Sequence, residues 1–318
     1  MAKKTKIWLI IASFLVVFGF LLFIAVMMKN DWDFATLSTE KFETNNHEIS
    51  DDFSSISIKT STADINFVPS EDGKCRVVCY EAANAKHTVV VEDNILTINE
   101  NNDKKWYEYI GIFTLSPKIT VYFTKAEYNS LKIDGDTGDI DIPKDFSFEV
   151  IDISVDTADV KNYASAKESV KISTSTGDIV LKDISANKID LAVSTGDIEC
   201  ESITCGEEIS LIVSTGKSKL TDISCNSFKS FGSTGDIILK NVIATKTLRI
   251  GRGTGDVRFE GCDSPKIFVC TDTGDVTGTL LSEMVFITNT DTGRVEVPKS
   301  VTGGKCEIVT DTGDIIIK

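Results

Sequence analysis

The amino-acid sequence predicts an all-β fold, a single-stranded β-solenoid of about ten coils of 19–20 residues. An irregular β cap and one N-terminal transmembrane helix are expected to precede it. Three observations support this prediction. The phrase Thr-Gly-Asp followed by Ile or Val recurs at a nearly constant step, apolar residues keep fixed positions around each copy, and a long uncharged run opens the chain. A constant short step is the signature of a repeat architecture.

The recurring phrase is interpreted as a tight structural corner. Ten copies follow one another at steps of 19 or 20 residues, and Ala158 replaces the central glycine in one of them. Glycine tolerates the positive φ of a tight corner, and aspartate accepts hydrogen bonds from nearby backbone amides. A further copy, Thr62-Ala63-Asp64-Ile65, lies outside this register. The nine corner glycines are Gly138, Gly177, Gly196, Gly216, Gly235, Gly255, Gly274, Gly293 and Gly313.

The residues around each corner predict short strands with one buried face. Positions seven before and two after the central residue are mostly Ile, Val, Leu or Phe, as at Ile189 and Ile198. The period within each unit is two, and β-branched residues dominate. The step is too short for a full strand and a full helix, but it suits one solenoid coil. With like residues about 4.8 Å apart, ten coils form a rod of about 48 Å.

The uncharged run Ile7–Met28 predicts the membrane anchor. Its 22 residues would form a helix of about 33 Å, enough to cross the hydrocarbon core. Lys3, Lys4 and Lys6 precede it, so the positive-inside bias places the N-terminus in the cytoplasm and the bulk outside. A cleaved signal peptide is the alternative, although its apolar region is usually shorter and ends in a small-residue cleavage site.

These signals divide the chain into five predicted segments. They are a cytoplasmic tail at 1–6, the transmembrane helix at 7–28, a stalk or linker at 29–50, an irregular β capping region at 51–127, and the solenoid repeats at 128–318. The repeats stop at Ile315-Ile316-Ile317-Lys318, directly after a corner. We therefore expect an open apolar strand edge at the C-terminus that favours self-association or strand addition by a partner.

The charge distribution excludes one class of partner. The net charge is −15, and residues 1–30 carry +4, which leaves −19 on residues 31–318. Binding to phosphate backbones requires clustered cations. Nucleic acid is therefore not an expected partner.

The cysteines are predicted to be small buried hydrophobes rather than a disulfide framework or a metal site. Cys200, Cys262 and Cys306 occupy columns otherwise filled by large apolar residues, and a free cysteine packs as a small hydrophobe. Cys205 and Cys225 stack on adjacent coils, and they are the only pair whose register permits a bridge. Eight cysteines without a CxxC pair and only two histidines, His47 and His87, do not predict a zinc site, and no cofactor is expected.

Calcium is the alternative left open at the corners. Four corners carry an aspartate on each side, and hard oxygen ligands suit calcium. Known calcium-binding β-roll repeats have about half this step and are rich in glycine. We therefore interpret the aspartates as structural, with calcium as the minor alternative. The residues concerned are Asp136, Asp139, Asp156, Asp159, Asp272, Asp275, Asp311 and Asp314.

Two catalytic interpretations are considered and disfavoured. Asp-Thr-Gly, the triplet of aspartic proteases, starts at Asp136, Asp272, Asp291 and Asp311, but other corners read Ser-Thr-Gly or Gly-Thr-Gly. A protease needs two carboxylates close enough to share a proton. A solenoid polysaccharide lyase would need a basic proton acceptor near an acidic site, whereas Lys217, Arg252 and Arg294 lie on different coils. We expect a protein that is not an enzyme.

The repeated Ser-Thr-Gly-Asp-Ile/Val corners, together with the anchor, resemble a bacterial family of β-strand-repeat proteins called "putative adhesins", over residues 50–318. The resemblance implies a cell-surface or cell-envelope protein without assigned catalytic residues. The loss of the corner Asp at Lys217 and Arg294 departs from the pattern. Two functions follow: an adhesive module that binds glycan, matrix or a second copy, or an envelope stress sensor that acts through a membrane-protein partner, because a six-residue tail is too short to signal alone.

Overall fold

A computed structural model describes residues 3–29, 32, 41–102 and 116–318. One helix, α1 (Lys3–Lys29), is followed by 24 strands in a single sheet. The helix contains the whole run predicted to span a membrane, and Thr5–Lys29 is long and apolar enough to cross one. Residues 1–2 of the predicted tail and 30–31 and 33–40 of the predicted linker lie outside the described residues.

The strand bounds follow the corners closely. In chain order they are β1 (Phe42–Ile49), β2 (Ser55–Thr62), β3 (Asp64–Pro69), β4 (Cys75–Ala82), β5 (Ala85–Glu92), β6 (Ile95–Asn102), β7 (Lys118–Phe123), β8 (Glu127–Thr137), β9 (Ile140–Ile142), β10 (Ser147–Thr157), β11 (Val160–Asn162), β12 (Ser165–Thr176), β13 (Ile179–Lys182), β14 (Ser185–Thr195), β15 (Ile198–Thr215), β16 (Ser218–Thr234), β17 (Ile237–Thr254), β18 (Val257–Cys262), β19 (Lys266–Thr273), β20 (Val276–Leu280), β21 (Met284–Thr292), β22 (Val295–Glu296), β23 (Gly304–Thr312) and β24 (Ile315–Ile317).

The rod is a β-solenoid of about ten turns, as predicted. From β8 onward each strand pairs in parallel with the equivalent strand one coil away, in the register that the corners define. Ile189 lies opposite Val170 on one side and Ile209 on the other, and all three are buried. Full burial of such a side chain stabilises the fold by about 1.5–3 kcal/mol. The stacked columns therefore form one continuous core.

The early copy of the corner phrase belongs to the rod. β2 pairs in parallel with β8, and Thr62 lies opposite Thr137. The backbone amide of Ile65 donates to the carbonyl oxygen of Asp139. The prediction that Thr62–Ile65 lies outside the register of the repeat is therefore wrong, because this copy stacks directly on the coil of Gly138. A cap excursion separates this coil from the next along the chain, which is why the sequence step of 75 residues conceals their contact.

The cap has five strands. Two of them pair in parallel with strands of the first coil, and the other three pair antiparallel with strands of the cap. β6 and β7 pair in parallel with β2 and β3. β4 and β5 then run antiparallel to β7 and β6. β1 pairs along its full length with β4, so Phe42–Ile49, predicted as part of the linker, is a cap strand. Its sequence, FETNNHEI, is too polar for the alternation of apolar residues to reveal a strand.

The last two coils are exchanged in space relative to their order in the chain. β23 lies between β19 and β21, and β24 lies between β20 and β22. Ile315 is completely buried. The expectation of an open C-terminal edge is therefore wrong, because the segment 297–303 returns the chain by one coil. The outermost coil, called the tip here, consists of β21 and β22, and no other described strand pairs with its outer side.

Candidate functional site

The corner aspartates form a ladder of hydrogen bonds along the rod, called the corner ladder here. The backbone amide of the residue after the corner centre donates to Oδ1 of the aspartate on the preceding coil, except at Asp236, which follows the coil of Lys217. Asp178 donates to Asp159 at 2.8 Å, and Asp197 donates to Asp178 at 2.7 Å. The carboxylates were predicted to bond within their own corner, but they join successive coils instead. Among described residues, no hydrogen bond joins the stacked corner threonine hydroxyls; Thr backbone carbonyls accept from the corner glycine amides.

The two cations in the corner column interrupt the ladder in different ways. The amide of Lys217 donates to Asp197 Oδ1 at 2.7 Å, but its side chain offers no oxygen to the next coil. Its Nζ lies 3.8 Å from Asp236 Oδ2 instead. Arg294 lies on the tip, and its amide donates to Asp314 Oδ1 at 2.8 Å. The ladder therefore ends at Arg294, because no described coil lies beyond the tip.

Close contact between backbones explains the glycine at the corner centre. Gly216 has a φ of 144°, and a Cβ there would collide with the carbonyl oxygen of Gly196. Eight of the nine corner glycines have a positive φ between 128° and 156°, whereas Gly293 at the tip is not among them.

The aspartate pairs considered for calcium do not converge on a third ligand in the described part of the chain. The inner aspartates of these pairs use Oδ1 in the corner ladder, as Asp139 does toward the Asp159 amide. Asp136, Asp156, Asp272 and Asp311 lie exposed before their corners. The eight aspartates therefore do not share one structural role. The inner four accept hydrogen bonds from a neighbouring coil, whereas the outer four have no bond of the corner ladder in the described structure.

A shallow depression of about 200 Å³ crosses four coils on one outer face. Hydroxyl groups and small apolar side chains line it, with Ile212 as its largest apolar member, 54% exposed. Phe231 lies in the same column on the next coil and is 43% exposed. We call this surface the serine groove. Its residues are Ser154, Val155, Asp156, Ser173, Thr174, Ser175, Ala192, Val193, Ser194, Ile212 and Ser214.

Arg252 occupies an inward position of the rod rather than its surface. It is 5% exposed, and burial lowers its pKa to about 10. Its Nη2 donates to Ser230 Oγ at 2.8 Å, and its Nη1 donates to the Gly251 carbonyl oxygen at 3.0 Å. No carboxylate in the described structure lies within ion-pair distance of it. Ser218 and Ser230 replace apolar residues of the core columns and provide hydroxyl acceptors.

A second polar group is buried inside the cap. Cys79, Glu81 and His87 each point one ligand atom into a space in which these atoms lie within 4.8 Å of one another. All three residues are buried. Within the described residues, this is the only group of three or more His, Cys, Asp or Glu side chains whose ligand atoms all lie within 4.8 Å of one another. We call it the cap cluster.

Hydrogen bonds to neighbouring side chains fix the orientation of His87 and Glu81. His87 Nδ1 faces Glu81 Oε2 at 2.6 Å, while His87 Nε2 lies 3.1 Å from Thr60 Oγ1. Thr60 Oγ1 lies 3.2 Å from Glu100 Oε2. Asn45 Nδ2 donates to the other oxygen of Glu81, Oε1, at 2.7 Å.

All eight cysteines are free thiols in the structure. Six of them are buried, in agreement with the prediction, but Cys270 is exposed and Cys75 is half-buried. Burial raises the pKa of the Cys200 and Cys225 thiols to about 12. These buried thiols are therefore poor nucleophiles at neutral pH.

The sequence contains a signal for the cap cluster that a search for CxxC pairs misses. Cys79 and Glu81 are two apart on one strand, so they share a face. His87 follows on the next strand of the same hairpin. The contacts with Thr60 and Glu100 come from distant parts of the chain and required the fold.

Comparison with known proteins assigns the chain to a family. Residues 53–318 match the family described as Toastrack DUF4097, which covers the first coil, the rest of the cap and the whole rod. The chain belongs to the Toastrack DUF4097 family. The resemblance inferred from the repeated corners is thereby confirmed. No curated protein matches the chain in sequence.

Several solved bacterial structures are similar to this Toastrack protein. One, called a "putative adhesin" from Bacteroides fragilis, is 18% identical, with 76% of this chain and 97% of that chain covered and a TM-score of 0.38. A "putative lipid binding protein" from Parabacteroides distasonis is 20% identical, with coverage of 76% and 98% and a TM-score of 0.44. A "putative cell adhesion protein" from Clostridium sporogenes is 10% identical, with coverage of 88% and 99% and a TM-score of 0.21.

Proposed function

We propose that this Toastrack protein is a non-catalytic binding module, anchored in the cell membrane by α1 and displayed outside the cytoplasm. The observation that carries the proposal is the state of the helix. Most of its apolar side chains are exposed: Trp8 is 71% exposed, Ile10 69% and Val16 72%. So large an unburied apolar surface supports a lipid environment for this helix. The lysines before it favour a cytoplasmic N-terminus.

The serine groove is the proposed binding surface. It presents hydroxyl donors and acceptors from several coils beside Ile212, and Phe231 extends the apolar strip. Flat hydroxyl-rich surfaces with an exposed aromatic ring suit glycans, whose rings have apolar faces and polar edges. A glycan of the cell envelope or of a host matrix is therefore the proposed ligand class.

We propose that the protein is not an enzyme, because the residues considered as catalytic groups have structural roles in the rod. The Asp-Thr-Gly triplets starting at Asp136 and Asp272 lie on separate coils, and their glycines form corners. Arg252 is buried and bonded to serine hydroxyls. Lys217 and Arg294 lie in the corner ladder. None of these supplies a paired acid and base at one exposed site.

Self-association, proposed at the C-terminus from the sequence, is now proposed at the tip. Ile287 on β21 is 51% exposed, and Leu281, which lies between β20 and β21, is 66% exposed. One side of β21 pairs with β23, and no described strand covers the other side. An uncovered strand with exposed apolar side chains is a template for pairing with a second copy.

The function is tested with the full chain in nanodiscs, mixed with purified cell-envelope glycans. We expect the glycans to co-sediment with the wild-type protein and not with Ile212→Asp. Val301→Asp is the matched control, because Val301 is 93% exposed but lies far along the chain, beside the tip. No glycan binding, together with cross-linking of the chain to a membrane protein in intact cells, would replace adhesion by the sensor alternative.

A further inference from the structure

We propose that the cap cluster is a binding site for a divalent transition-metal ion of the Zn²⁺ type. Cys79 Sγ, Glu81 Oε2 and His87 Nδ1 are the ligand atoms. Nothing in the function proposed above depends on this site. The starting observation is the convergence of these three buried side chains, with their ligand atoms within 4.8 Å of one another.

The existing distances need only small side-chain movements to accept an ion. Zinc bonds are about 2.0–2.2 Å to nitrogen or oxygen and about 2.3 Å to sulfur, so ligand atoms in a tetrahedral site lie about 3.3–3.7 Å apart. His87 Nδ1 and Glu81 Oε2 are 2.6 Å apart. A proton must lie between them, because two acceptors at that distance would repel. The ion takes the place of that proton as the pair opens by less than 1 Å.

The atoms behind the ligands are already held as metal sites require. A metal-ligating histidine usually donates its second N–H to an oxygen, which fixes the ring and its tautomer. His87 Nε2 faces Thr60 Oγ1 at 3.1 Å, and Thr60 Oγ1 lies 3.2 Å from Glu100 Oε2. Asn45 Nδ2 donates to Glu81 Oε1 at 2.7 Å, and the His87 backbone amide donates to Glu81 Oε2 at 2.7 Å. Both bonds fix the carboxylate, and a lone pair of Oε2 can turn toward the ion.

The ligand set also decides the class of ion. A thiolate and an imidazole favour zinc and related transition metals, whereas calcium and magnesium prefer oxygen alone. One thiolate and one carboxylate balance the two charges of the ion. The bound site is therefore neutral, which suits its burial. Burial raises the pKa of the Cys79 thiol to about 12, and coordination to a metal ion deprotonates such a thiol.

The ion would join two neighbouring strands of the cap. Cys79 and Glu81 lie on β4, and His87 lies on β5. The Thr60 contact of His87 reaches β2, which is part of the first coil. A metal bond across β4 and β5 therefore stabilises the layer that covers the end of the hydrophobic core.

The test is a titration of the full chain, purified in detergent without metal, with Co²⁺ and Zn²⁺. We expect one equivalent of Co²⁺ to produce a thiolate-to-cobalt charge-transfer band in the near ultraviolet and Zn²⁺ to abolish it. We also expect Zn²⁺ to raise the thermal midpoint and EDTA to lower it again. Ligand binding to the folded state alone shifts the midpoint with ligand concentration.

Three variants make the assignment specific. Cys79→Ala and His87→Ala should lose the band, while Cys200→Ala, an equally buried thiol in the rod, should keep it. Glu81→Gln retains the shape and the bond from Asn45, and it should weaken Zn²⁺ binding at least 10-fold. Its melt without metal reports whether it is folded. A wild-type protein with neither band nor shift overturns the proposal, as does a band that persists in Cys79→Ala.

Discussion

The corner carboxylates bond the backbone of the next coil rather than that of their own turn. Asp178 Oδ1 accepts the Asp197 amide, and the Asp178 amide donates to Asp159. Each such bond joins two coils at a point where the β ladder is interrupted by the corner. Hydrogen bonds that involve a charged group contribute about 1.5–3 kcal/mol when buried, and less when water competes. The corner aspartates therefore act mainly on stability.

Removal of one ladder acceptor should destabilise the rod. Asp178→Ala is expected to lower the free energy of unfolding by about 1 kcal/mol, because the Asp197 amide loses its acceptor. Asp178→Asn keeps an oxygen there and should cost less. Asp156→Ala is the control, since Asp156 is exposed before its corner and contributes no ladder bond. Urea unfolding measures all three, and equal midpoints for Asp178→Ala and Asp156→Ala would contradict the ladder.

Arg252 is the opposite case, a charge that burial disfavours. Hydroxyl and carbonyl oxygens accept its hydrogen bonds, but no described carboxylate balances its charge. Replacement of a buried charge by an apolar side chain of similar volume is often stabilising. Arg252→Met should raise the free energy of unfolding by about 1 kcal/mol. Arg249→Met, an exposed position on the same strand, should change it little. A clear loss of stability in Arg252→Met would show that the serine contacts outweigh desolvation.

At the scale of the element, the repeat predicts the strands well and their order less well. Columns such as Ile189 and Ile198 identify the buried face, because a period of two and a fixed step leave one way to stack. The position of β1 could not be predicted, since its polar residues carry no alternation. The insertion of β23 between β19 and β21 was also hidden, because equivalent columns fit any neighbouring coil equally well.

The exchanged coils have a direct consequence for truncation. β21 pairs with β23 and β22 with β24, and no other described strand pairs with either. Deletion of residues 304–318 should therefore release the tip as well as the C-terminal coil. Hydrogen exchange should show loss of protection in β21 of the truncated chain and normal protection in β17. Continued protection of β21 would mean that the tip can dock directly on β19.

At the scale of the whole molecule, the rod places its acidic corners in one column. The corner carboxylates are exposed, and each one in the ladder accepts an amide N–H that partly balances it. These amide dipoles partly offset the charge of the corners, so we expect the rod not to need calcium. We expect the thermal midpoint to be unchanged by calcium, measured on the Cys79→Ala variant so that a metal in the cap cannot contribute. A rise in the thermal midpoint on addition of calcium would instead support the corner pairs, such as Asp136 and Asp139, as calcium ligands.

The two ends of the molecule differ in how they can meet a partner. The cap follows α1 in the chain, whereas the tip presents β21, whose outer side is covered by no described strand. Arg294 ends the corner ladder there, because it lacks the carboxylate that would accept an amide from a further coil. Extension of the rod by stacked copies would therefore lose this bond, and we expect tip-to-tip dimers rather than fibres.

Sedimentation of the full chain in detergent tests this expectation. The wild-type protein should form a concentration-dependent dimer without larger species. Ile287→Lys should shift it to a monomer, because Ile287 is 51% exposed at the tip and a charge on an edge strand opposes pairing. Ile238→Lys, 36% exposed on the side of the rod, should leave the dimer intact. A dimer that survives Ile287→Lys would place the contact elsewhere, and open-ended polymers would show that Arg294 does not terminate stacking.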